Sequence, residues 1–448
     1  MATDDNLSAK LSPQNSSHRM KHTPQFVRQI ILTAVAVLAV ALPGNAQTKP
    51  ITDLQPTVIL ISLDAFRYDY LAKYPSPNLN YLARTGVRAR WLIPSFPTKT
   101  FPNHYTIATG LYPAHHGIVE NEFYDPQFDA VFNLHKREEV EKGRWWLGEP
   151  IWVTAEKQNQ RTAALFFPGT EAEIAGRRPS YWKVYDDKLS NDDRIDTILQ
   201  WLDLPQGQRP TLLTAYFSEA DDVGHHFGPD SKQTRQAVFE LDQAIGRLID
   251  GLRSRQILAQ VNLIIVSDHG MATSDPKNMI LLDQMFDTSL AERIFWTPEI
   301  VSIFPRPGYE QQIYSSLRQH LPPQARVFRK SELPERFHYR DSARIAPLLV
   351  LPDEGWALMN REGLIAVNQS ESGPSKGRHG YDNKLRSMRA TFIGHGQAFK
   401  SHTVVAPFSN IQIYNIMARI LGLKAAPNDG DSTAARQVLK RSKQREKP

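Results

Sequence analysis

The sequence predicts an α/β protein: a mostly parallel central sheet covered by helices on both faces, with a small inserted α/β lobe. Three observations predict it. Apolar runs at 58–63, 212–217 and 261–266 do not alternate, so they read as strands buried on both faces. Helical patterns lie between such runs, the rhythm of a parallel sheet. Each of these runs leads towards a potential ligand: Asp64, Asp221, and Asp268 with His269. In open α/β sheets, ligands collect beyond the carboxyl ends of the strands.

The elements follow in order. After the 58–63 strand, Asn78–Thr85 has helical spacing and stops at Gly86. Thr162–Phe167 is a further strand, and Asp192–Leu202 is helical. Ser231–Arg253 places Val238, Leu241, Ile245, Leu248 and Leu252 at three- and four-residue steps, the mark of an amphipathic helix. From about 275 to 375 the rhythm changes: strands at Ile300–Phe304 and near Arg326 and Leu348 flank a helix at Tyr309–His320. This stretch reads as the inserted lobe. The chain then returns to the core with Ala390–Ile393 and a helix over Ser409–Leu421.

Residues 1–46 read as an export signal. Arg19, Lys21 and Arg28 precede an apolar stretch from Ile30 to Leu42, and Pro43–Ala46 offers a small-residue cleavage site. The apolar stretch has 13 residues, short of the roughly 20 that span a bilayer. Met20 is an alternative start. The order of features implies a periplasmic or secreted protein with no membrane span after cleavage.

The chain has no cysteine, which excludes disulfides, thiolate zinc sites and a cysteine nucleophile. The net charge is +6, but residues 1–46 carry +2 and 433–448 carry +5, which leaves the body at −1. Basicity therefore belongs to the ends, and the body lacks a nucleic-acid-binding excess. Residues 433–448 read as a solvated basic tail. Nothing in the composition calls for a dimer, so a monomer is expected.

Asp64, Thr100, Asp221, His225, Asp268, His269 and His379 mix carboxylate, imidazole and hydroxyl donors. Imidazole with carboxylate suits zinc. Seven positions exceed one tetrahedral ion and match two, and ions about 4 Å apart can bind the entering and leaving oxygens of a phosphoryl transfer. Zinc lowers the pKa of bound water from about 15.7 to about 7. A like effect on a threonine hydroxyl is on the order of 12 kcal/mol of differential stabilisation, more than a neighbouring base supplies. From the residues alone, Thr100 reads either as a helix cap or as a nucleophile. Phe101-Pro102 reads as a helix start whose amides could bind phosphate. Gly224 and Gly228-Pro229 make the Asp221–His225 stretch read as a constrained loop. His104, His115, His116 and His226 read as structural, and His135 as a surface or loop residue.

At these residues the chain resembles the nucleotide pyrophosphatase/phosphodiesterase family of the alkaline phosphatase superfamily. The resemblance rests on Ser62–Arg67 (SLDAFR), Pro97–Tyr105 (PTKTFPNHY), Thr109–Pro113 (TGLYP) and His116–Asn121 (HGIVEN). It continues through Asp221–Pro229 (DDVGHHFGP), Ser267–Gly270 (SDHG) and Gly377–Asn383 (GRHGYDN). It implies an alkaline-phosphatase-like fold and two Zn2+, one on Asp64, Thr100, Asp268 and His269, the other on Asp221, His225 and His379. It implies Thr100 as nucleophile, with a phosphothreonine intermediate, and Asn121 as a phosphate-binding side chain. Phe101, Tyr216 and, with core packing as the rival reading, Tyr185 would flank a nucleoside base. Ala65 and Ala220 stand where many members have glycine and proline.

The function so implied is hydrolysis of nucleotide-type phosphodiester or pyrophosphate bonds, with a small-molecule substrate and no specific nucleic-acid partner. Alternatives on the same core are a choline-phosphate or lysophospholipid phosphodiesterase and a phosphate monoesterase. The alternative from another class is an inactive exported binding protein.

Overall fold

The computed structural model describes residues 49–370 and 373–441. The export segment expected over 1–46 lies outside the described residues.

The first part of the chain supplies strand β1 (Val58–Leu63), helix α1 (Pro77–Thr85), strand β2 (Val87–Ala89) and helix α2 (Thr100–Thr109). Next come β3 (Thr162–Leu165), β4 (Tyr181–Lys183), α3 (Asn191–Leu202), β5 (Leu212–Phe217), α4 (Glu219–Phe227), α5 (Lys232–Ser254) and β6 (Asn262–Val266). The lobe contributes β7 (Ala291–Thr297), β8 (Ile300–Pro305), α6 (Glu310–His320), β9 (Ala325–Arg329) and β10 (Leu348–Pro352). The chain closes with β11 (Phe392–His395), β12 (Thr403–Val405), α7 (Ile413–Leu421) and α8 (Thr433–Val438).

The main sheet has eight strands in the order β12-β2-β11-β6-β1-β5-β3-β4. All its pairings are parallel except those of β11, which runs antiparallel to both β6 and β2. Every residue of β1 is buried, because its odd and even side chains enter different cores. Val58 and Leu60 pack with Ile107 of α2 and Tyr414 of α7, whereas Ile59, Ile61 and Leu63 pack with α1, α3 and α5. Each such aliphatic side chain contributes about 1.5–3 kcal/mol on burial. This two-sided cover explains the unbroken apolar runs in the sequence.

Register does the rest. Val58 to Leu63 pair with Leu212 to Phe217 on one side, and Val58 to Ser62 with Asn262 to Val266 on the other. The three strands therefore end level, and the Asp64 amide continues the ladder by donating to Phe217 O at 2.9 Å. Whatever follows each strand emerges at one edge of the sheet.

The lobe has an antiparallel four-stranded sheet, β7-β8-β10-β9, with its own apolar core around Ile303, Ile313, Leu317 and Val350. The solvated tail expected from 433 needs correction. Thr433–Val438 forms α8, and Ala434, Ala435 and Val438 are buried against the core, an apolar stripe that outweighs the flanking charges. Among the described residues, no helix is long and apolar enough to cross a membrane.

Candidate active site

Asp64 follows β1, and Asp268 and His269 follow β6 after one residue; all three are buried. The turn after Asp64 is tight. Ala65 sits at φ 52° in the left-handed region, and its amide donates to Asp268 Oδ1 at 3.1 Å. That backbone conformation favours glycine, which accounts for the residue type common there in the family resembled.

Asp221 and His225 lie on α4, not on the constrained loop that the nearby glycines predict. Four-residue spacing puts both on one face, with His225 Nε2 and Asp221 Oδ2 3.4 Å apart. Gly228, at φ 88°, ends this helix instead of shaping a ligand loop. Thr100 is the first residue of α2 and does not cap it; Lys99 holds the cap position. The Thr100 hydroxyl instead lies 3.4 Å from His269 Nε2.

The histidines are oriented by backbone carbonyls. The Nδ1 atoms of His225, His269 and His379 reach Gly377 O at 2.8 Å, Gly270 O at 2.9 Å and Thr98 O at 2.8 Å. A carbonyl oxygen only accepts, so each Nδ1 carries the proton and each Nε2 presents a lone pair to the site. His225 Nε2 and His379 Nε2 are 3.1 Å apart, and His269 Nε2 is 2.9 Å from Asp268 Oδ2. Asp64 Oδ1, Asp221 Oδ1 and Asp268 Oδ2 are buried with no hydrogen-bond partner among the described residues.

Lone pairs and carboxylate oxygens that face one another repel unless a cation lies between them. Burial, then the Asp268 and Asp221 charges, push the Asp64 carboxyl well above its usual range. Burial raises Asp268 as well, and burial lowers His379 well below the usual imidazole range. These are the marks of a donor set whose charge is unbalanced, and it fits metal ions. Asp221, His225 and His379 form one group able to hold an ion; Asp64 joins Asp221 and His269 in a second.

Asp64 and Asp268 also group with His104. Both ring nitrogens of His104 are engaged, Nδ1 with Thr100 O and Nε2 with Ser62 Oγ, each at 2.8 Å. Burial holds its pKa down at about 3, so it stays neutral and acts as a strut between β1 and α2.

These residues open onto a cavity of about 570 Å³ whose walls include Thr100, Phe101, Asn121, Phe167, Tyr185 and Tyr216. Asn121 Oδ1 accepts from the Phe101 amide at 3.0 Å, which leaves the carboxamide NH2 as its donor. The amide cradle expected at the start of α2 is thereby reduced, since the Phe101 N–H is taken and Pro102 has none. Tyr185 and Tyr216 stand with ring centroids 6.3 Å apart, and Tyr185 is 41% exposed. Tyr216 does more than form a wall: its hydroxyl donates to Asp64 Oδ2 at 2.6 Å. His135, Arg137 and Glu171 also line the cavity, and His135 is exposed in a turn at its rim, as the sequence predicts.

An alkaline-phosphatase-like α/β core with a carboxylate–imidazole cluster at its sheet edge defines the class of the protein. The chain belongs to the type I phosphodiesterase/nucleotide pyrophosphatase family, whose sequence profile matches residues 58–382. It is 44% identical over 393 residues to an uncharacterized pyrophosphatase/phosphodiesterase of Schizosaccharomyces pombe, covering 84% of this chain and 79% of that protein. It is 33% identical over 411 residues to human ectonucleotide pyrophosphatase/phosphodiesterase family member 5, covering 92% and 83%. Against bovine family member 3 the identity is 37% over 396 residues, covering 86% of this chain but 44% of that longer protein. The chain thus spans less than half the length of that relative. The solved structure of murine ectonucleotide pyrophosphatase/phosphodiesterase 5 matches with a TM-score of 0.80 at 32% identity, covering 86% of this chain and 100% of that one. That murine protein also has a structure as an inactive threonine-to-alanine variant in complex with AMP.

Proposed function

We propose that this protein hydrolyses phosphodiester or pyrophosphate bonds of nucleotides, with two zinc ions and a phosphothreonine on Thr100. The observation that carries the proposal is the convergence of three unpartnered carboxylate oxygens and three imidazole Nε2 atoms beside the Thr100 hydroxyl. Asp64, Thr100, Asp268 and His269 would hold one ion, and Asp221, His225 and His379 the other. Bound zinc would lower the pKa of the Thr100 hydroxyl and offset negative charge on the entering and leaving oxygens.

The chain's own groups do the remainder. Thr100 Oγ1 attacks the phosphorus as the bond to the leaving oxygen breaks, and the hydroxyl proton passes through solvent to the departing oxygen. The Asn121 NH2 donates to an equatorial oxygen, where charge accumulates in the transition state. Water then cleaves the bond between phosphorus and Oγ1 and restores the hydroxyl. Phe101, Tyr216 and Tyr185 offer aromatic faces for a base, and stacking tolerates different bases. AMP in the murine relative's structure supports a nucleotide substrate, and inactivity of that relative's threonine-to-alanine variant supports a threonine nucleophile.

A diester is favoured over a monoester by charge. Arg137 is the one Lys or Arg among the described cavity walls, and Glu171 and Glu141 already pair with it. Among the described cavity walls, a monoester dianion would find no unpaired Lys or Arg. Export to the periplasm or cell exterior belongs to the same proposal, supported by the order of features in residues 1–46.

Thr100→Ala is expected to lower turnover at least about 10³-fold on a nitrophenyl ester of a nucleoside monophosphate, with zinc content retained. Near-normal turnover would sink the nucleophile assignment. Faster turnover of nitrophenyl phosphate by the parent would favour the monoesterase alternative. Zinc binding without turnover of either ester would favour a non-catalytic binding protein.

A further inference from the structure

Three residues that each precede a proposed site residue turn away from the cavity: Lys99 before Thr100, Glu120 before Asn121 and Arg378 before His379. All three are buried. Two of them, Lys99 and Arg378, meet one carboxylate from the lobe, Glu299, in the turn between β7 and β8. Lys99 Nζ lies 2.5 Å from Glu299 Oε2, and Arg378 Nη1 lies 3.1 Å from Glu299 Oε1. Arg378 Nε also donates to Ser274 Oγ at 3.2 Å. Glu120 Oε1 accepts from the Asn121 amide at 2.9 Å, and the Lys99 charge bears on the same carboxyl.

The backbone beside this cluster is tied as closely. Thr98 O receives His379 Nδ1 at 2.8 Å, and Thr98 Oγ1 receives the Gly380 amide at 2.9 Å while donating to Tyr381 O at 3.0 Å. Gly380 stands at φ 112°, and a Cβ there would come within 2.5 Å of Lys99 Cε. The Lys99 stem fills the space a side chain at 380 would take.

A buried ion pair is a weak source of net stability compared with apolar packing of the same volume. What it does supply is direction, because a carboxylate holds two cations at set angles. We propose that Glu299 is a positioning residue for the reaction: through Lys99 and Arg378 it fixes the two segments that carry Thr100 and His379. The lobe thereby sets the distance between nucleophile and ligand without reaching the cavity. This proposal rests on the reading of Thr100 as nucleophile.

The test uses the full chain loaded with zinc. Glu299→Gln should lower kcat about 10²-fold, the loss expected for roughly 1 Å of misplacement, with KM changed less than threefold. Lys99→Met should act in the same way, and the double variant should lose no more than the worse single one. Turnover is read well below the melting temperature and normalised to bound zinc. A lower melting temperature with unchanged normalised kcat would overturn the proposal and leave a purely structural pair. If Glu299→Gln does not fold, the double variant, which buries no unpaired lysine, decides alone: full kcat there overturns the proposal. Thr100→Ala run in parallel separates the two readings. If it keeps its rate, the nucleophile reading fails and this proposal with it. If it loses its rate while Glu299→Gln does not, only the positioning role fails.

Discussion

Two clusters of buried charge lie back to back in this molecule, and they are built on opposite rules. In the cavity, Asp64, Asp221 and Asp268 each keep an oxygen without a partner among the described residues, and the imidazoles turn lone pairs towards each other. Behind it, Lys99, Glu299 and Arg378 are paired. An unsatisfied buried charge is expensive, so a fold tolerates a group of them only where something else completes it. The first cluster is made to receive cations, and the second is made to hold still.

The strongest way to break this contrast is to remove charge from each side. With metal chelated, turnover should disappear and the melting temperature should fall by several degrees, since a tightly bound ligand at 1,000 times its Kd contributes about 4 kcal/mol. In that metal-free protein, Asp268→Asn should raise the melting temperature, because it removes a repelled carboxylate while its amide oxygen can still accept from Ala65. Glu299→Gln should lower it, because it strands Lys99 and Arg378. Calorimetry on the two variants reads the signs directly. Shifts in the same direction would mean that the cavity cluster is not electrostatically unbalanced.

How much of this was legible in the sequence follows the range of each interaction. Asp64, Asp268 and His269 could be placed at one sheet edge because apolar runs end beside them, and a strand announces its end locally. Asp221 and His225 were read as loop residues because glycines at 224 and 228 masked a helix of only nine residues. The cap reading of Thr100 missed by one position, because Lys99 takes the cap with extended backbone. No local pattern marks a pair such as Tyr216 with Asp64 or Lys99 with Glu299, which are 152 and 200 residues apart.

A smaller effect tests the edge of the cavity cluster. Tyr216→Phe keeps the ring and deletes the hydroxyl that donates to Asp64 Oδ2. Partners of metal ligands commonly account for 10- to 100-fold in affinity. Zinc affinity in a competition titration should therefore fall by about 10- to 100-fold, while KM for the nucleotide ester stays near the parent value. A raised KM with unchanged zinc affinity would show that the hydroxyl serves the substrate and not the metal centre.

The smallest effect lies beside the paired cluster, at Glu120, whose Oε2 is buried without a hydrogen-bond partner among the described residues. Burial, opposed by Lys99 and the Asn121 amide, raises its carboxyl from the ordinary 4.5 to about 7, with Glu299 and Glu122 adding to the rise. A carboxyl whose folded pKa is raised binds its proton more tightly in the folded state. Its contribution to stability is complete below about pH 4.5 and is lost as the pH climbs through about 7. Glu120→Gln keeps an oxygen to accept from the Asn121 amide but cannot ionise. The melting temperature of this variant should match the parent near pH 4.5 and exceed it by a few degrees at pH 8. A difference that does not change between those pH values would mean that Glu120 is already ionised at low pH, fully paired by Lys99, and that the balanced cluster extends one residue further than the hydrogen bonds show.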